Sequence, residues 1–195
     1  MAEIRFIADT HFGHANVIKF DNRPFKTIEE HDEALITYWN ETVDEKDTTY
    51  ILGDFCWKTE MHWFDLLQKL KGKKFLVKGN HDLKTMTTKT QNCFIGIEKG
   101  IQDLKYHGNK IIMCHFPILT YPYAISPNGY MLHGHVHNSI EHNLVVKWTK
   151  EERLHTPSFG HIINVGCMMP WMNYRPRTIE EIVEGWRKEC ETKTE

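Results

Sequence analysis

No two cysteines of this chain stand in a C-x-x-C arrangement, and the five present (Cys56, Cys93, Cys114, Cys167 and Cys190) are odd in number. That argues against a thiolate zinc knuckle and against a disulfide framework, so the thiols are read as reduced. There is no apolar run of membrane-spanning length and no basic leader followed by an apolar segment, which predicts a soluble, cytoplasmic protein with no membrane partner. Charge of one sign is missing too: 24 basic against 26 acidic side chains leave a formal net charge of −2. No global basic field therefore advertises nucleic acid, although a local patch or a bound cation can still accept phosphates. Repeats, linkers and low-complexity tracts are absent. Residues 1–195 read as a single domain, long enough to bury a substantial core.

What the chain has in excess is histidine, thirteen in all, which points to metal or phosphate chemistry. Three of them, His133, His135 and His137, stand on alternate positions within "GYMLHGHVHNS". On a strand such residues face one side and can aim their nitrogens at one point. A polar edge strand rich in histidine is the bland alternative.

The order of elements is legible over the first half. "EIRFIAD" (3–9) is an apolar run with an acidic end, a buried strand. "TIEEHDEALITYWNETV" (27–43) carries a capping box, Thr27 with Glu30, ahead of a helix whose buried face is Ile28, Leu35, Trp39 and Val43. "TTYILGD" (48–54) predicts a second strand. "MHWFDLLQKLKG" (61–72) predicts a helix with Trp63, Leu66, Leu67 and Leu70 inward and Gly72 as its stop. "KKFLVKGNHD" (73–82) predicts a third strand. Strands alternating with helices call for parallel pairing in an α/β layer fold. The second half changes character: a hairpin across Gly108-Asn109, then strands near 130–137 and 161–166 with no evident helix between them. A second capping box, Thr178 with Glu181, starts a helix running to about Trp186.

Asp9, His11, Asp54, Asn80, His81, Asp82, His115, His135 and His137 all fall at the end of a predicted strand or just beyond it. In open α/β sheets the loops at the carboxyl ends of the strands build the site. Oxygen and imidazole donors without thiolate suit divalent manganese, iron, zinc or nickel better than a closed structural zinc site.

In order along the chain, "DTH" (9–11), "GD" (53–54), "GNHD" (79–82), the lone His115 and "GHVH" (134–137) resemble the pattern of the calcineurin-like metallophosphoesterases. Each block is weak alone, but the ordered set, spanning roughly two-thirds of the chain, is specific. The resemblance extends to small single-domain phosphoesterases of bacterial and phage type. It implies a four-layer α/β/β/α sandwich of two mixed β-sheets flanked by helices. It also implies two divalent metal ions, manganese first, with iron, zinc, nickel or magnesium as alternatives. By the same resemblance Asp9, His11, Asp54 and His137 hold one ion, and Asp54, Asn80, His115 and His135 hold the other. Asp54 then bridges, and an activated hydroxide attacks phosphorus. His81 stands outside the metal shell as the catalytic histidine, with Asp82 beside it, and His133 matches no ligand position. In the phosphoprotein phosphatase branch the G-D block continues to an Asp that pairs with this histidine, whereas here Trp57 stands at that offset.

Candidate substrate contacts lie outside these blocks: His14, Asn16 and Arg23 after the first strand, and Arg175 in the aromatic stretch "GCMMPWMNYRPRT" (166–178). Arg23 could clamp a phosphate bidentately. Aromatics beside arginines can stack a base, but more often they pack a loop. The chain leaves no room for a separate capping domain, so an open site is expected. The activity these features favour is hydrolysis of a small phosphorylated or nucleotide-like substrate, a phosphodiester or phosphomonoester. A nuclease acting on DNA or RNA ends is the second reading, and a catalytically silent metal-binding interaction subunit the third.

Overall fold

A computed structural model describes residues 1–156 and 159–192. Chain order is β1 (Ile4–Ile7), α1 (Val17–Phe20), α2 (Ile28–Thr42), β2 (Thr48–Ile51), α3 (Glu60–Lys69), β3 (Lys73–Val77), α4 (Thr88–Gln91) and β4 (Gly96–Glu98), followed by β5 (Gln102–Tyr106), β6 (Asn109–Met113), β7 (Gly129–His133), α5 (Ile140–His155), β8 (His161–Asn164) and α6 (Ile179–Thr192). The strands form two four-stranded sheets, β1-β2-β3-β4 and β5-β6-β7-β8. The expected α/β fold of two sheets flanked by helices is thus present. The second sheet is mixed, with β5 antiparallel to β6 and the rest parallel. The four strands of the first all pair parallel, with an isolated antiparallel bridge from Phe6 to Arg177.

Period-2 alternation explains how the second sheet is covered on both faces. Ile111, Met113, Tyr130, Leu132 and Ile163 join a large cluster with Phe6, Ile51 and Leu76 of the first sheet. Their neighbours Ile112, Cys114, Met131 and Ile162 point the other way, against Val145 and Trp148 of α5. Leu35, Trp39, Trp63 and Leu67 of α2 and α3 enter the large cluster, as do Ile179, Ile182 and Trp186 of α6. The indole N–H groups that this burial strands are satisfied, Trp39 donating to Lys71 O and Trp63 to Cys56 O at 3.0 Å.

Both threonine caps form, but only one box closes. At α6 the exchange is reciprocal, Glu181 N donating to Thr178 Oγ1 (3.3 Å) and Thr178 N to the Glu181 carboxylate (2.9 Å). At α2 Thr27 caps Glu30 N, while the Glu30 carboxylate accepts from Lys26 N instead. The hairpin is also present, but its turn residues are His107 and Gly108, both at positive φ (48° and 78°), as a type I′ turn requires.

The short α1, α4 and β4 have no counterpart in the sequence reading, and α5 runs against it. A helix, α5, does join the strands over 130–137 and 161–166. Two parallel neighbours such as β7 and β8 need a crossover, and a helix commonly supplies it. Its period is obscured because Ile140 and Leu144, which a pattern search counts as inward, are 77% and 60% exposed. Among the described residues no helix is long and apolar enough to cross a membrane. Cys56, Cys93, Cys114 and Cys167 are free thiols; the side chain of Cys190 lies outside what is described.

Candidate metal centre

The chain beyond β1 is clamped between the two sheets. Ala8 N donates to Val165 O and Cys167 N returns a bond to Ala8 O, both at 2.8 Å, while Asp9 N and His11 N bond to Gly53 O and Asp54 O at 3.0 Å. The strand-end loops of both sheets therefore converge on one point. The bends that aim their side chains inward place Asp9, His11, Asp54, His135 and His137 at positive φ, between 46° and 67°. L-residues rarely adopt this region, and strain of this kind collects at functional sites.

Two groups of donors result. The ligand atoms of Asp9, His11 and His137 lie within 4.8 Å of one another, and so do those of Asp54, His115 and His135. Asp54 Oδ2 faces both groups, 3.7 Å from His11 Nε2 and 3.5 Å from His115 Nε2. Asn80 Oδ1 joins the second group, 3.0 Å from His115 Nε2. All seven residues that the resemblance marks as ligands are thus brought together. Close approach here requires glycine: a Cβ on Gly134 would sit 2.5 Å from Asp9 Oδ2, and one on Gly79 2.3 Å from Asp54 Oδ1.

The surrounding contacts orient these groups. His115 Nδ1 faces Leu52 O at 2.8 Å, and His137 Nδ1 faces the Asp21 carboxylate at 2.7 Å, which turns each Nε2 toward the centre. Burial drives the His11 pKa down to about 2, so its ring is neutral. Burial likewise pushes the Asp9 carboxyl up to about 6, against the pull of the His137 and His115 imidazoles. Burial would raise Asp54 as well, but its hydrogen bond and charge interaction with His115 prevail, holding Asp54 at about 2 and His115 at about 9. Asp9 is fully buried, and among the described residues no lysine or arginine pairs with its carboxylate. A buried carboxylate without a fixed lysine or arginine, faced by imidazoles, fits a divalent ion.

Asp82 departs from a catalytic role. It is 5% exposed, and its carboxylate accepts the backbone N–H groups of Phe55 (2.8 Å), Gly79 (2.8 Å) and Asp54 (3.1 Å). It therefore ties the G-D loop to the G-N-H-D loop. His81 is exposed; its N–H donates to Asp54 Oδ1 at 2.9 Å, and its ring packs 4.7 Å from the Trp57 ring. His133 is buried outside both donor groups.

Of the candidate substrate contacts, Arg23 proves to be interior. It is 4% exposed, and its guanidinium donates to Asp9 O, Thr10 O and the Asp21 carboxylate while meeting His31 Nε2 at 2.8 Å. With its fork filled, it fixes the first metal loop from beneath and has no donor left for a phosphate. Arg175 turns away from the centre, stacking over the Tyr38 ring at 3.9 Å and pairing with Glu41 at 3.2 Å. The aromatic stretch around it packs a loop, Trp171 Nε1 donating to Asn164 O. His14 stays beside the site, stacked on Trp57 with ring centroids 4.2 Å apart, and Asn16 is exposed at the start of α1.

Sequence reasoning missed Asp21, His31 and Asn164. Asn164 Nδ2 donates to His137 O and its Oδ1 accepts from Gly166 N, both at 2.8 Å, pinning the last histidine loop. The only local signal for Asp21 is its place in the "DNRPF" stretch.

A family model described as calcineurin-like phosphoesterase matches residues 2–187. An uncharacterised protein of Methanocaldococcus jannaschii is 33% identical over 187 residues, covering 94% of this chain and 91% of its own. The gene 66 protein of Mycobacterium phage L5 is 34% identical over 85 residues, which span 42% of this chain and 41% of that protein. Among solved structures, a protein of unknown function from Aquifex aeolicus superimposes with a TM-score of 0.70 at 26% identity, covering 94% of this chain and 99% of that one.

Proposed function

Because the chain belongs to the calcineurin-like phosphoesterase family, we propose that it hydrolyses a phosphodiester or phosphomonoester of a small, nucleotide-like molecule at a centre for two divalent ions. The observation that carries this reading is the Asp54 carboxylate, whose Oδ2 faces a donor group on either side. Asp9, His11 and His137 complete one ion site; Asn80, His115 and His135 complete the other. Manganese is the ion proposed first, with iron, zinc, nickel or magnesium as alternatives, since carboxylate, amide and imidazole donors together accept several divalent ions. When bound, such ions offset charge on the phosphoryl oxygens and acidify water at neutral pH.

The remaining steps belong to the protein. His135 N donates to both Asp9 oxygens, at 3.1 and 3.0 Å, which holds that carboxylate in one orientation. Asp21 and Leu52 O fix the histidine tautomers, so no ligand must reorganise when substrate arrives. His81 stands on the loop after β3 with its side chain exposed and its backbone N–H on Asp54, placed to donate a proton to the departing oxygen. Trp57, in the position of the second carboxylate of the phosphoprotein phosphatases, holds that ring by packing. His14 is proposed to meet the substrate, since its Nδ1 is buried beside His11 with no hydrogen-bond partner among the described residues.

The test is hydrolysis of bis-(p-nitrophenyl) phosphate and p-nitrophenyl phosphate by metal-stripped protein resupplied with Mn²⁺, with Asp54→Ala as control. Turnover that requires the ion and vanishes in the variant supports the reading, and the faster substrate assigns diester or monoester preference. Turnover unchanged in Asp54→Ala would overturn it.

A further inference from the structure

An open cleft of about 840 Å³ adjoins the metal centre, and His135 and His137 form part of its lining. Much of its wall is apolar. Phe20, Phe116 and Leu144 line it and are 60%, 44% and 60% exposed. Large apolar side chains held open to water in a concave site mark a ligand contact. The two phenylalanines are fixed against site histidines: Phe116 meets His135 at 4.5 Å between centroids, and Phe20 meets His137 at 6.2 Å and His14 at 5.6 Å.

The charge of the cleft narrows its occupant further. No lysine or arginine is among its described lining residues, whereas Asp21 and Glu141 are. A second phosphate would find no cation there, and the exposed Glu141 carboxylate would repel it, Asp21 being already paired with Arg23 and His137. Asn138 and Ser139 supply hydrogen-bonding groups along the apolar wall.

Resting on the phosphoesterase reading, we infer that this cleft selects the organic part of the substrate: an uncharged planar ring, of nucleobase type, joined through its sugar to the phosphoryl group at the metals. Phe116 and Phe20 are its specificity-determining residues. The ring stacks on the phenylalanine faces, and chains of phosphates or charged sugars are excluded. Base–aromatic stacking of this kind distinguishes ligands with and without a ring by about tenfold or more.

Calorimetric binding to the Mn²⁺-loaded protein tests this independently of turnover, using inorganic phosphate, ribose 5-phosphate and adenosine 5′-monophosphate. The adenosine nucleotide should bind about tenfold or more tightly than ribose 5-phosphate. In Phe20→Ala/Phe116→Ala that advantage should vanish while phosphate binds as in the parent, and Phe116→Tyr, which keeps a ring, should preserve it. Equal affinity for the two organic phosphates would overturn the inference and leave the phosphoesterase reading standing. So would an advantage that survives in the double alanine variant. Failure of all three ligands to bind the loaded protein would sink the phosphoesterase reading, and this inference with it.

Discussion

Asp21 stands 2.7 Å from Nδ1 of His137 with one carboxylate oxygen and 2.8 Å from Arg23 Nη2 with the other. One residue on the loop after α1 therefore joins a donor of the centre to a buried cation. A carboxylate behind a ligating histidine fixes its tautomer and raises its basicity. Asp21→Asn should weaken Mn²⁺ binding roughly ten- to hundredfold while leaving the fold intact. Calorimetric titration of stripped protein checks this, and unchanged affinity would remove Asp21 from the centre.

Arg23 gives a prediction about stability instead of substrate. Arg23→Ala leaves Asp21 and two backbone carbonyls without their buried partner, a change that costs about 3 kcal/mol or more. For a domain of this size that lowers Tm by roughly 6–12 °C. A surface clamp would behave oppositely, raising KM with Tm unchanged, so thermal melts and kinetics on the same variant separate the two roles.

Ion binding should be coupled to pH. The folded pKa of Asp9, about 6, lies above its ordinary 3.8, so its contribution to the ion-free fold is complete below about pH 4 and is lost as pH rises through 6. His115, at about 9 against 6.5, contributes fully below 6.5 and loses that contribution as pH rises through 9. Both must shed a proton to serve as ligands. The gain in Tm on adding a fixed free Mn²⁺ concentration should therefore grow from pH 5 to pH 9. A gain that is flat across this range would contradict these shifts.

His81 and Trp57 should separate chemistry from metal binding. His81→Ala should lower kcat by about 10²–10⁴-fold at full metal content. Trp57→Ala, which frees the ring 4.7 Å away, should lower kcat roughly ten- to hundredfold with little change in KM. If either variant turns over at the parent rate with two ions bound, its role here is wrong.

Much of the centre was readable because its residues sit at strand ends, where apolar runs stop at D, GD, GNHD and GHVH. The first-half helices were readable from their caps and periods. What escaped depends on tertiary contact. Nothing local marks Arg23 as interior; its burial follows from the carbonyls of Asp9 and Thr10, which turn toward it only once the loop has bent to positive φ. Asp82 reads as part of a catalytic block, yet its partners are backbone N–H groups that no side-chain pattern reveals. Asn164 acts through the main chain of a residue far along the sequence. Helix α5 was hidden because two of its apolar residues serve the surface, Leu144 in the cleft beside the centre.

The most direct measurement is a Mn²⁺ titration of stripped protein in which bound ion and turnover of the better p-nitrophenyl ester are read on one sample. Binding should saturate at two ions per chain, with turnover appearing only as the second equivalent is filled, since Asp54 is shared between the two donor groups. Full turnover at one equivalent, or none with two ions bound, would contradict a two-metal phosphoesterase.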